Sequence, residues 1–183
     1  MNVIPDSSFF ICFLDDLEGL LPISDRVRIL TVITGNFTVM VVPEVEQELR
    51  FLRFPSQVRD QVRMVKIPAH GTRSDPSIEL LRPLLGKGEH EVITCAHFHF
   101  LKGDGIFFFI LDDGVARDLV KRILPSLTNY MKGTVGFIGH CAIRKVIGKN
   151  EAIHLLTVIG KSKFRVDRTT IITVITEIQN RCS

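Results

Sequence analysis

The 183-residue sequence predicts an α/β fold: a central, mainly parallel sheet of about five strands, flanked by helices and followed by a C-terminal helical extension. Three observations predict it. Short β-branched or aromatic runs alternate with helix-length segments, the rhythm of right-handed βαβ units covered on both sides. The unbroken apolar run Ile106 to Leu111 has the length and content of a strand buried on both faces. Carboxylates stand just past strand ends, where open α/β sheets place their ligands.

The elements follow in order. Asn2 to Pro5 reads as a first strand, and Ser7 or Ser8 can cap the helix suggested by Phe9, Phe10, Phe13, Leu14 and Leu17. Ser24-Asp25 starts a second helix that Gly35-Asn36 stops. Thr38 to Val42 is a β-branched strand, and Pro43 suits the first position of a helix continuing from Glu44 to Leu52. Met64 to Ile67 reads as a short strand and His70 to Pro76 as a polar loop. Ile78 to Leu85 is helical, weakened by Pro83. A helix opens at Glu89, and Gly103-Asp104-Gly105 turns the chain into the apolar strand, which ends in Asp112 and Asp113. Leu127 to Met131 is the expected fifth strand, and helices follow over Val135 to Ile147, Asn150 to Ile159 and Thr169 to Ile178. The expected organisation is one domain, with an α/β core over 1–132 and helices over 133–183.

Composition narrows the class. With 45% hydrophobic residues the chain has ample material for a core, and its apolar stretches are too short to span a bilayer. No leader-like N-terminus is present, so a soluble, cytoplasmic protein is expected. A net charge of +3 does not by itself argue for nucleic acid, although it suits a basic rim around an acidic pocket. Cys12, Cys95, Cys141 and Cys182 form no CxxC pair and read as reduced, buried thiols. His90, His97 and His99 lack the i,i+4 spacing of a zinc helix.

Asp6 follows the first strand, Glu48 lies on the helix after the second, Glu89 opens a helix, and Asp113 follows the next major strand. Such acids, gathered in one crevice, would repel one another unless a hard divalent cation such as Mg²⁺ or Mn²⁺ sat between them. Singly, each also reads as an ordinary helix cap or solvent-facing charge. The ordered motifs are Asp6-Ser7-Ser8, Val42-Pro43-Glu44-Val45-Glu46-Gln47-Glu48-Leu49, Gly88-Glu89-His90-Glu91-Val92-Ile93, Leu111-Asp112-Asp113-Gly114-Val115-Ala116-Arg117 and Gly133-Thr134-Val135-Gly136. Together they resemble the PIN-domain family, that is, VapC-type toxin ribonucleases and relatives with a GExE helix.

The resemblance implies a PIN-like three-layer fold and a metal-dependent endoribonuclease. It implies catalytic Asp6, Glu48, Glu89 and Asp113, with Mg²⁺ or Mn²⁺ on Asp6, Asp113 and Glu89. Asp112 is the alternative to Asp113, and Glu91 the weaker alternative to Glu89. Ser7 would support the site. RNA is the implied substrate, and an antitoxin protein and a homodimer are the implied partners. Arg50, Lys87 and Arg117, with Arg53, Lys121 and Arg122, flank the acidic motifs and are candidate phosphate contacts, or else ordinary solvated helix charge. The reading from a different class is a non-catalytic module of the same fold that binds RNA or protein.

Overall fold

The structure is a computed structural model and describes residues 1–50, 55–65 and 75–182. Strand β1 (Asn2–Pro5) leads into helix α1 (Ser7–Ile11), which runs on as a π-helical turn over Cys12–Asp16. Helix α2 (Ile23–Asn36) precedes β2 (Thr38–Val41), α3 (Pro43–Leu49), the short α4 (Ser56–Arg59) and β3 (Val62–Met64). Then come α5 (Pro76–Leu81), α6 (Lys87–Lys102), β4 (Phe107–Ile110), α7 (Gly114–Ile123) and β5 (Met131–Lys132). Helices α8 (Thr134–Ile143), α9 (Lys149–Ile159) and α10 (Arg168–Arg181) complete the chain.

All five strands are parallel, in the order β3-β2-β1-β4-β5. The chain therefore builds outward from β1 on one side, then returns to build on the other. Between β1 and β4 the winding reverses, and a crevice opens outside their carboxyl ends. Val3 lies opposite Val39 and Phe108 on one face, and Ile4 opposite Phe109 on the other, so the middle of the sheet is apolar on both faces.

One hydrophobic core runs from β1 to α10. Phe9 of α1 meets Phe137 of α8 edge-on at 6.0 Å, and Phe37 approaches the same ring at 5.3 Å. Each such buried ring contributes about 1.5–3 kcal/mol. The C-terminal helices thus share the core with the sheet. Gly139 of α8 shows how closely: a Cβ there would lie 2.5 Å from Val174 Cγ1 on α10.

Several boundaries differ from the sequence reading. The cap of α1 is Asp6 and not Ser7 or Ser8, because Asp6 has the extended backbone of an N-cap and its carboxylate accepts from Phe9 N–H. Leu127 to Met131 is not a strand. Pro125 starts a 3₁₀ turn through Tyr130, and only Met131 and Lys132 pair with β4. Strand β3 begins at Val62, two places before the expected Met64, because its register pairs Val39 with Val62 and Val41 with Met64. Residues 66 and 67 of the expected strand, 51 and 52 of the expected third helix, Arg53, and the loop from His70 to Arg73 and Ser74 lie outside the described residues. Gly103 closes α6 in the left-handed conformation, with φ of 68°, where a Cβ would be strained. The four cysteines are free and buried, as expected. Among the described residues no helix is long and apolar enough to cross a membrane.

Candidate active site

Asp6 and Asp112 occupy the reversal point of the sheet, one past β1 and the other just past β4. Both Asp6 oxygens accept backbone N–H groups: Oδ1 from Phe9 and Oδ2 from Asp112, each at 3.2 Å. Asp6 is 3% exposed. Burial, then the charge of Asp112, pushes its carboxyl up from 3.8 to about 8, with Glu89 adding to the rise. Burial also raises Asp112, opposed by its bonds to Thr134 and by the charge of Arg117.

The GT-x-G segment holds Asp112 in place. Thr134 N–H donates to Oδ1 at 2.8 Å and Thr134 Oγ1 donates to Oδ2 at 2.5 Å, at the N-terminus of α8 where orphan donors and the helix dipole favour an anion. Gly133 leaves room: a Cβ there would lie 3.0 Å from Asp112 Oδ1 and 3.2 Å from Arg117 Nη1.

Asp113 does a different job. Its Oδ1 accepts Ala116 N–H at 2.7 Å as the N-cap of α7, and its side chain is exposed on the lip of the crevice. Of the two adjacent aspartates, it is therefore Asp112 that touches Asp6. Glu89 lines the crevice, whereas Glu91 accepts Glu44 N–H at 2.9 Å and so caps α3 from across the interface. That separates the two glutamates. Glu48 is exposed on α3 and is not part of the crevice lining; it lies against α6, where Gly88 makes space for it: a Cβ at 88 would sit 2.8 Å from Glu48 Oε1. A Cβ at Gly86 would overlap Glu89 Oε2 in the same way. The two glycines around Lys87 thus let the carboxylates of Glu48 and Glu89 fold against the first turn of α6.

The crevice measures about 470 Å³. Besides Glu89, Asp112 and Asp113 it is lined by Ser8, Asp16 and the loop residues Lys163, Phe164 and Arg165. Ser8, rather than Ser7, faces it. Of the candidate phosphate contacts, Arg117 is committed to support, donating from Nη1 to Leu111 O at 3.0 Å beside Asp112. Arg50 lines a separate cleft with Glu46 and Arg59, and Lys87 is exposed outside the crevice lining. The cations at the crevice are instead Lys163 and Arg165, in a KSKFR run between helices that offers no motif to read. Asp16 was equally hidden, because only the π-helical turn carries it to the rim. Its carboxyl is raised by burial and by Asp15, and Lys163 opposes the rise.

Among the described residues no three His, Cys, Asp or Glu side chains already converge as metal ligands. The histidines are occupied elsewhere: His90 pairs with Ile78 O, His97 with Asp75 and His99 with Asp104.

The fold and site define a class: a parallel α/β protein with a carboxylate pair at the sheet reversal, Asp6 buried and Asp112 half-buried. No family model matches the chain, and neither the curated proteins nor the solved structures contain a match.

Proposed function

We propose that the chain is a metal-dependent nuclease, similar to PIN-domain ribonucleases, that hydrolyses RNA phosphodiester bonds. One observation carries the proposal. Asp6 and Asp112, both raised by burial, share the reversal point of the sheet, with a further carboxylate, Glu89, near enough to raise Asp6. Buried like charges are unfavourable unless protonated or matched by positive charge, and Arg117 answers only Asp112.

The donor set fits a hard dication. Each Asp6 oxygen accepts a single N–H in this structure, which leaves lone pairs for a metal. Asp6 and Asp112 would hold Mg²⁺ or Mn²⁺, most of whose coordination is water, and Glu89 would join from the wall. When bound, such an ion acidifies a coordinated water and balances charge developing on the phosphate oxygens. The chain's own residues do the rest. Thr134 and the Asp112 N–H hold the two carboxylates in orientation. Glu89, on the crevice wall, would accept a proton from water there. Asp113 maintains α7 at the lip. An antitoxin protein and a second copy of the chain are candidate partners under this reading, and a small DNA-binding protein encoded alongside would support the first.

The test is cleavage of end-labelled RNA in Mg²⁺ or Mn²⁺ against EDTA, with Mn²⁺ binding measured by calorimetry. Metal-dependent cleavage lost in Asp112→Asn supports the proposal, and cleavage unaffected by that change defeats it. The second reading, a non-catalytic binding module, draws on the lack of a ready-made ligand trio among the described residues. RNA binding indifferent to metal, with no cleavage, would establish it instead.

A further inference from the structure

We propose that the loop between α9 and α10 is a grip for single-stranded nucleic acid, in which Lys163 and Arg165 hold phosphates and Phe164 stacks on an unpaired base. The assignment rests on the nuclease reading for its substrate class but on separate residues. All three side chains line the carboxylate crevice. Among the described residues neither Lys163 nor Arg165 closes an ion pair, although Asp16, Glu89, Asp112 and Asp113 line the same hollow. Lys163 acts on Asp16 through space, but no ion pair among the described residues holds either cation, so both can turn to an outside anion. Lys161 and Arg168 extend the same exposed basic stretch.

The loop is held in shape. Phe164 N–H donates to Ser162 Oγ at 3.1 Å, and Ser162 Oγ donates to Ile159 O at 2.8 Å at the end of α9. Asp167 caps α10 just beyond. This ties the cation–aromatic–cation triplet to the helices on both sides. Phe164 is half-buried against the core and is the one ring in the crevice lining.

A cationic pair with an aromatic between them suits a flexible strand: backbone charge meets the cations, and a splayed base offers its π-face. Duplex bases are already stacked and cannot reach a ring in a hollow of about 470 Å³. The carboxylate wall sets the scissile phosphate apart from those gripped. Arg117 offsets only part of the wall's negative charge, so the loop supplies the attraction that the floor lacks.

The test is fluorescence anisotropy with the full chain in EDTA, using a labelled single-stranded RNA of roughly 12 nucleotides and its duplex, over a range of salt. Wild type should favour the single strand. Lys163→Ala/Arg165→Ala should weaken binding and lower the log–log salt slope by roughly 1–2. Phe164→Leu, which keeps an apolar contact with the core, should weaken single-strand binding about tenfold and spare the duplex. Arg59→Ala, in the separate cleft beside β3, should change nothing. Equal binding of strand and duplex, or loop variants that bind like wild type, overturns the proposal. Cleavage assays separate the two readings. Loop-dependent binding without cleavage in any metal defeats the nuclease and keeps the grip. Cleavage indifferent to the loop keeps the nuclease and defeats the grip.

Discussion

The backbone N–H of Asp112 donates to Oδ2 of Asp6 at 3.2 Å, joining residues 106 positions apart. This bond places the carboxylates of two neighbouring strand ends in one electrostatic unit. The other oxygen of Asp6 caps α1, so one carboxylate ties the first helix to the end of β4.

The first prediction concerns pH. Asp6 has a folded value of about 8, above its ordinary 3.8, so the folded state holds the proton more tightly. Its contribution to stability is complete below about pH 4 and is lost as pH rises towards 8. The metal-free protein should therefore lose up to a few kcal/mol over that window, and urea unfolding at pH 4.5 and 8 would measure it. Asp6→Asn should flatten the slope. It should also be less stable than wild type by about 1–3 kcal/mol at pH 4.5, because an amide offers one acceptor to two N–H groups.

Mn²⁺ should reverse that loss. At pH 8, millimolar Mn²⁺ should raise the melting temperature of wild type and not of Asp112→Asn. Equal shifts in both proteins would mean that the ion binds elsewhere.

Asp113 and Asp112 should separate cleanly. Asp113→Ala should lower stability by about 1 kcal/mol through the lost cap, and Asp113→Ser should recover most of it. Both should retain Mn²⁺ binding, whereas Asp112→Asn should lose it. Calorimetry on the three variants decides between the adjacent aspartates.

Gly88→Ala should fold within about 1 kcal/mol of wild type, because the obstructing atom is the far end of an exposed glutamate. It should nonetheless displace the Glu48 carboxylate and slow cleavage. In the Glu48→Ala background the same change should have no further effect on rate, a double-mutant cycle that isolates the pair.

Gly139→Ala tests whether α10 belongs to the core. Val174 is β-branched and cannot swing aside easily, so about 1–3 kcal/mol should be lost. Val174→Ala should relieve part of the loss when the two are combined. If Gly139→Ala is silent in chemical denaturation, α8 and α10 do not pack as described.

Local chemistry made much of the fold legible. The apolar run forms a strand over Phe107–Ile110, although Ile106 at its start lies outside the strand and is exposed; Pro43 at a helix start and Gly103 at a helix end also carry their meaning within a few residues. The acids after β1 and β4 could be placed because a parallel sheet aligns its carboxyl ends. Position along the strand end was less legible. Asp112 and Asp113 are chemically identical, and only Thr134, 22 positions away, together with the α7 cap, gives them separate tasks. Glu89 and Glu91 are likewise distinguished by Glu44 on another helix. Arg117 looked like a rim residue and turned inward to Leu111 O, while Lys163 and Arg165 arrive at the rim from the far end of the chain.

The sequence by itself determined the alternation of strands and helices, the parallel sheet and the strand ends that bear carboxylates, since these follow from periodicity, caps and turn chemistry. Only the tertiary structure decided which carboxylates meet, which cations face them and that the C-terminal helices close the core. Those outcomes depend on through-space contacts between distant segments, and desolvation and charge act across that space regardless of separation along the chain.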